Sequence, residues 1–196
     1  MKKRQATVER STKETQIRIT LCLDGEGLCA IDTGLPFLNH MLELMTRHSL
    51  MDLRVAAKGD LDVDYHHTVE DIGLALGLAL DKALGDRKGI RRYGGFYVPM
   101  DEALSRVVLD LGGRPCLVRE MACRKRRILD FDLGLLDDFL QGLTVQGRMN
   151  LHIAQMKGQE AHHAWESVFK ALGRALRSAC ERDPREKGVP SSKGTI

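Results

Sequence analysis

One five-residue pattern occurs twice in this chain, and it lies inside a longer internal repeat. The pattern His-His-x-x-Glu occupies residues 66–70 and again residues 162–166. The shift of 96 residues that superposes the two copies also superposes Gly77 on Gly173, together with alanines and leucines around them. This period is too long for a solenoid and is typical of a chain with two similar lobes. The repeat therefore predicts two halves that fold alike and carry the same chemistry.

Hydrophobic patterns follow the same order of strands, helix, strand and helix in both halves. We expect an α+β fold, internally duplicated, in which each half is a two-layer sandwich of a mainly antiparallel sheet and two helices. The expected units are residues 1–90, residues 91–183 and a tail, 184–196, whose composition favours a flexible terminus. The predicted strands and their turns are a hairpin within 5–33 with a turn at Asp24–Gly27, then 52–60, 95–98, 105–111 and 116–120 with a turn at Gly112–Pro115, and 150–155. The predicted helices are 36–48, 66–83, 135–146 and one that starts at the second pattern.

Composition excludes several classes of function. A net charge of +3 and 5% aromatic residues argue against nucleic acid as a partner. The dense basic run Arg124–Arg127 is predicted to be a solvated loop or strand end. Five cysteines without a Cys-x-x-Cys pair indicate a reduced, cytosolic setting, so metal ligands would be histidine and carboxylate. No apolar run approaches eighteen residues, and the start is polar, so neither a membrane span nor a secretion signal is expected.

The repeated pattern has the spacing of a metal-ligand set. At the start of a helix, the first histidine and the glutamate are neighbours on one face, while the second histidine points elsewhere. We therefore predict two metal ions, each bound by the first histidine and glutamate of one copy and one histidine of the other. His40 and Asp138 align at a shift of 98 and are candidates for a fourth donor in each set. The alternative is a polar helix start with carboxylates near the helix dipole.

From Arg10 to Lys193 the chain resembles the imidazoleglycerol-phosphate dehydratase family. That resemblance implies halves of the ribosomal protein S5 domain 2-like type. The motifs that carry it are Arg10-x-Thr12-x-Glu14-Thr15, Phe37-Leu38-x-His40-Met41-Leu42 with His48, Gly59-Asp60, Asp64-x-His66-His67-Thr68-x-Glu70-Asp71, Arg92-Tyr93-Gly94, Val98–Leu104, Gly113-Arg114-Pro115, Ala161-His162-His163-x-x-Glu166 with Lys170, and Pro190–Gly194.

The resemblance implies two Mn²⁺ ions per active site and a set of substrate contacts. One ion would be held by His40, His67, His162 and Glu166, and the other by His66, Glu70, His163 and a donor at Asp138. The residues expected to line the substrate, mostly around its phosphate, are Glu14, His48, Arg92, Arg114, Lys170, Ser191, Ser192 and Lys193. In the family the sites lie between subunits of a 24-subunit homo-oligomer.

The implied activity is that of a cytoplasmic hydro-lyase of histidine biosynthesis. It would dehydrate D-erythro-imidazole glycerol phosphate to imidazole acetol phosphate, through a di-manganese-bound imidazolate and a diazafulvene, with Glu14 as the proton carrier. The same donors could instead serve a dinuclear metal-dependent phosphoester hydrolase, which would release phosphate. A third possibility is a metal-nucleated structural shell, in which Glu14 would be free to vary.

The chain departs from the family pattern at three positions. Asn39 replaces an aspartate, and the neutral amide is expected to orient His40 while raising its basicity less. Asp138 replaces a histidine and can still bind Mn²⁺, with an added negative charge. Glu160 replaces an asparagine. Asp64 could be an acceptor for a ligand histidine or a helix-start charge, and Met41, Met45 and Trp165 are expected in the core.

Overall fold

A computed structural model describes residues 3–196 and contains ten strands and four helices within that range. The strands are β1 (Gln5–Ser11), β2 (Thr15–Cys22), β3 (Cys29–Asp32), β4 (Asp52–Gly59), β5 (Tyr93–Met100), β6 (Ala103–Asp110), β7 (Cys116–Met121), β8 (Arg127–Ile128), β9 (Phe131–Asp132) and β10 (Asn150–Lys157). The helices are α1 (Pro36–Ser49), α2 (His66–Leu84), α3 (Leu135–Gln146) and α4 (Ala161–Cys180).

Two four-stranded sheets share the same strand order. The first is β1-β2-β4-β3 and the second is β5-β6-β10-β7. In each sheet the last pair is parallel and the other neighbours are antiparallel. The central strands alternate buried apolar and exposed side chains, so that Ile19 pairs with Val55, and Val107 with Ile153, on the covered faces. The predicted α+β class with mainly antiparallel sheets is confirmed.

The helices lie between the sheets and pack across the two halves. Helix α2 covers β1 and β2, and α4 covers β5 and β6, while the helix pairs in contact are α2 with α3 and α1 with α4. Glycines permit this close packing: a side chain at Gly73 would overlap the carbonyl of Phe139, and one at Gly173 the carbonyl of Met45. These crossings bring the start of α1 to the start of α4, and the start of α3 to the start of α2.

Several local expectations are corrected. The turn at Asp24–Gly27 does not close a hairpin, because β4 lies between β2 and β3, and the actual hairpin joins β1 to β2. Likewise Gly112–Pro115 connects two strands that β10 separates. The small β8–β9 hairpin was not anticipated; the run Arg124–Arg127 leads into it and is exposed, as expected.

The core residues and the C-terminal tail were both subjects of sequence predictions. Met41, Met45 and Trp165 are buried, as their helical spacing indicated. The tail, expected from its composition to be a flexible terminus, contacts the fold, since the backbone N–H of Gly89 donates to the carbonyl of Gly188 (2.9 Å). No helix within residues 3–196 is both long and apolar enough to span a bilayer.

Candidate metal and substrate site

Three predicted ligands converge where α1 meets α4. The Nε2 atoms of His40 and His162 each lie 3.0 Å from the same oxygen, Oε1 of Glu166. All three ligand atoms lie within 4.8 Å of one another. His162 and Glu166 are one helical turn apart on α4, and the crossing at Gly173 places α1 close enough for His40 to join them. Two imidazole nitrogens and a carboxylate oxygen are a donor set that fits Mn²⁺.

Glu166 is held in its charged form by a neighbouring cation. Its side chain is 10% exposed, and Lys170 Nζ lies 2.5 Å from Oε2. Burial alone raises the pKa of Glu166, but the hydrogen bonds from Lys170 and His40 outweigh it and lower the pKa to about 2. One carboxylate oxygen is thus fixed by Lys170, and the other faces the two histidines.

The predicted ligands of the first half also meet, but in a more open arrangement. Asp138, at the start of α3, lies 3.2 Å from His66 Nδ1, whereas Glu70 lies 3.7 Å from Nε2 of the same ring. The side chains are 41–46% exposed. The packing of α2 against α3 at Gly73 produces this contact. His66 therefore offers different nitrogens to the two carboxylates, and the three donors do not converge on one point as the other set does.

The second histidine of each pattern turns to carboxylates of its own half. His67 Nδ1 lies 3.0 Å from Asp60 and 4.0 Å from Glu14. His163 Nδ1 lies 2.8 Å from Glu102, and its Nε2 lies 3.8 Å from Asp101. The hydrogen bond with Asp60 raises the pKa of His67, and that with Glu102 raises the pKa of His163. Among the described contacts, neither ring reaches the ligand set that it was predicted to complete.

Most of the predicted phosphate contacts line one basic cavity of about 500 Å³. Arg114 is exposed, and its backbone carbonyl accepts from the side chain of Asn150 (2.5 Å). Arg92 donates to both oxygens of Asp110 (2.6 and 3.0 Å) and to the carbonyl of Pro190 (2.7 Å), which holds the tail at the cavity. The predicted residues that line it are Arg92, Arg114, Ser191, Ser192 and Lys193. Arg148 also lines this cavity, and no sequence pattern had singled it out.

The other three predicted substrate residues lie outside this cavity. Lys170 binds Glu166 and approaches the sulfur of Met100 (3.0 Å). His48 lies on α1; burial lowers its pKa, and the charges of Lys170 and Arg174 lower it further. Glu14 lies in the β1–β2 turn beside His67. Within a single chain, the predicted substrate contacts therefore form separate groups.

Three further residues near the ligands, Asn39, Glu160 and Asp64, each accept hydrogen bonds from the backbone. Asn39 accepts hydrogen bonds from the backbone and hydroxyl of Thr33 (3.1 and 2.6 Å), and its orienting of His40 stays a prediction. Glu160 caps α4 by accepting from the backbone N–H of His163 (2.9 Å). Asp64 accepts from the backbone N–H of His66 (2.8 Å) and is therefore a helix-start acceptor.

The fold and the site together define a class of protein: a duplicated α+β protein with matched histidine and carboxylate donors at its helix starts. Within that class, the sequence model of the family described as imidazoleglycerol-phosphate dehydratase matches residues 33–176. The chain belongs to the imidazoleglycerol-phosphate dehydratase family, and it is an enzyme of the lyase class.

Relatives of that name match the chain over its whole length. The imidazoleglycerol-phosphate dehydratase of Alcanivorax borkumensis is 58% identical and covers 100% of this chain and 97% of its own. That of Thioalkalivibrio sulfidiphilus is 55% identical, with 100% of both chains covered.

Solved structures of the family share the fold. The enzyme from Staphylococcus aureus superposes with a TM-score of 0.82 at 37% identity, covering 91% of this chain and 99% of its own. The Pyrococcus furiosus enzyme, in complex with (S)-C348, gives 0.84 at 35% identity, covering 96% and 100%. The predicted family and fold are confirmed.

Proposed function

We propose that this chain dehydrates D-erythro-imidazole glycerol phosphate to imidazole acetol phosphate, as a cytoplasmic step of histidine biosynthesis. Family membership and the names of its relatives support this activity. The observation that carries the proposal is the convergence of His40, His162 and Glu166 on one point in a member of a dehydratase family. A phosphoester hydrolase has no comparable support from the relatives.

Two ligand sets are proposed for two Mn²⁺ ions. They are His40, His67, His162 and Glu166 for one ion, and His66, Glu70, Asp138 and His163 for the other. Nitrogen and carboxylate donors suit this metal, and Asp138 already contacts His66. When bound, such ions would favour the deprotonated imidazole ring of the substrate, a form that would assist loss of the adjacent hydroxyl through the proposed diazafulvene.

The incomplete ligand sets support an assembly of several chains. Each set gathers three donors within one chain, and His67 and His163 face away from them. Those histidines would complete sets on neighbouring subunits, as in the 24-subunit shell that the family resemblance implies. The separate groups of substrate residues would then also be brought together between chains.

The residues of this chain supply proton transfer and orientation. Overall, the substrate loses a hydroxide from the carbon beside the ring and a proton from the next carbon, which together leave as water. Glu14 is about half exposed and is the proposed carrier of that proton. The resulting enol becomes the ketone by reprotonation. Arg114, Lys193 and Arg148 would bind the phosphate in the basic cavity and thereby orient the reacting carbons.

The direct test is incubation of the Mn²⁺-loaded protein with imidazole glycerol phosphate. The expected product carries a carbonyl and keeps its phosphate. Release of inorganic phosphate without a carbonyl product would instead show a hydrolase. Metal content measured on the same sample is expected to be two ions per chain, and fewer would mean that Asp138 does not replace the usual histidine.

A further inference from the structure

The internal repeat places a glutamate at the same point of both sheets. Glu14 directly precedes β2, and Glu102 directly precedes β6, so each lies in the turn that joins the first two strands of its half. Each glutamate also faces the second histidine of the pattern in its own half. These two residues are therefore structural counterparts, although the turns that carry them differ in length.

The two counterparts make different contacts. Glu102 Oε2 lies 2.8 Å from His163 Nδ1, which is hydrogen-bonding distance. Glu14 lies 4.0 Å from the equivalent nitrogen of His67, and Asp60 lies 3.0 Å from it. In the first half Asp60 thus occupies the position that Glu102 occupies in the second. Glu14 is left without a hydrogen bond to the ring.

We propose that Asp60 and Glu102 are positioning residues that orient His67 and His163 for metal binding. Each carboxylate accepts a hydrogen bond from Nδ1–H, which selects that tautomer and leaves Nε2 with its lone pair free to bind an ion. Because Asp60 performs this task in the first half, its turn glutamate, Glu14, is free to carry the proton. This inference rests on the proposed metal sites.

The surroundings of both carboxylates fit this role. Of the two carboxylate oxygens of Asp60, Oδ2 lies 3.0 Å from His67, and Oδ1 is buried without a hydrogen-bond partner within residues 3–196. The hydrogen bond with His67 is therefore the one that fixes this carboxylate. The second oxygen of Glu102 accepts from the backbone N–H of Glu160 (3.3 Å), directly before α4. Glu102 is thus tied to the helix start that carries His163. The nearest acidic group to the free Nε2 of His163 is Asp101, at 3.8 Å.

The test measures binding of Mn²⁺ alone by calorimetry, with metal content as a second readout. Asp60→Asn and Glu102→Gln are each expected to lower the binding affinity for one of the two Mn²⁺ ions about 10- to 100-fold and to leave the affinity for the other unchanged. The matched controls are Asp64→Asn and Glu160→Gln, whose carboxylates accept from the backbone of the same helix starts rather than from a ring. Both controls are expected to bind Mn²⁺ within about twofold of wild type.

A double-mutant cycle separates positioning from a general structural effect. In a His163→Asn background, Glu102→Gln should weaken Mn²⁺ binding by less than about twofold, since its effect acts through the missing ring. Asp60→Asn in a His67→Asn background tests the first half independently if a second-half variant does not fold.

The outcomes distinguish this inference from the proposed function. If wild-type protein bound two ions but Asp60→Asn and Glu102→Gln bound them equally well, or if the double mutants were additive, the positioning role would be wrong while the metal sites stood. If wild-type protein bound no Mn²⁺, the proposed function itself would fail.

Discussion

The two ligand sets have the same ancestry in sequence but different environments. The carboxylate of Glu166 is 10% exposed and is bound by Lys170, whereas that of its counterpart Glu70 is 46% exposed and lies 3.7 Å from His66. Folding of one chain already brings His40, His162 and Glu166 to one point. The other three donors, His66, Glu70 and Asp138, lie near one another but do not converge. Duplication therefore conserves the two histidines and the glutamate of the pattern, but not the donor on the neighbouring helix, which is His40 in one set and Asp138 in the other. Packing decides how far each set is preorganised.

The largest effect on turnover is expected at Glu14, the turn glutamate of the first half. Glu14→Gln should lower turnover about 10²- to 10⁴-fold, because it removes the proposed proton carrier. Mn²⁺ content and assembly should be unchanged, since Glu14 is not a proposed ligand. Steady-state kinetics, with metal analysis and sedimentation of the same samples, makes the measurement. Full activity in this variant would favour the structural-shell interpretation.

The two pattern glutamates should differ in their effect on the stability of metal-free protein. Glu166→Ala leaves Lys170 without its partner in a mostly buried position and should cost about 3 kcal/mol of unfolding free energy. Glu70→Ala removes an exposed contact and should cost less than about 0.5 kcal/mol. Urea unfolding with a chelator present measures both. Equal costs would show that the two sets are equally organised before metal binds.

The contacts between each helix and its hairpin offer a third comparison. Asp71 accepts from Thr15 (2.6 Å) and pairs with Arg10 (2.7 Å), while at the equivalent place Ser167 lies 2.6 Å from Ser105. Asp71→Asn should lower the free energy of unfolding by about 2 kcal/mol, since interactions with a charged group are lost. Ser167→Ala should lower it by about 1 kcal/mol.

Turnover provides a second readout for the same pair of variants. The Asp71 contact holds the hairpin that carries Glu14, so Asp71→Asn should also lower turnover at saturating substrate. Ser167→Ala should not. A larger loss of stability in Ser167→Ala would contradict the comparison.

The smallest effect is expected where the halves touch away from the ligands. Arg4 pairs with Asp24 in the first half and donates to the carbonyl of Cys180 in α4 (2.7 Å). The hydrogen bond from Arg4 lowers the pKa of Asp24, so the pair stabilises the fold above the ordinary aspartate pKa, about 3.9, and this stability is lost as the pH falls through the lowered value. Asp24→Asn should therefore cost less than about 1 kcal/mol at pH 7 and nothing in strong acid. Unfolding of both proteins across pH tests this, and a cost independent of pH would argue against the ion pair.

Periodicity and spacing predicted much of the fold but not its pairing. Strand alternation located most strands, yet it could not show that β3 pairs with β4 rather than β2, because pairing is a long-range choice among similar edges. The link between His40 and Asp138 was visible in the repeat. Arg148 was not, because it follows α3 in a turn and approaches the cavity only after folding.

By itself, the sequence determined that there are two alike halves, which residues could bind metal, and that first histidine and glutamate share a helix face, because these follow from repeat and helical period. Only the tertiary structure decided which donors meet. The crossing of α1 over α4 joins His40 to His162 and Glu166, and the crossing of α3 over α2 joins Asp138 to His66. Those contacts depend on glycines that let helices from different halves approach closely, a packing condition that no local pattern encodes.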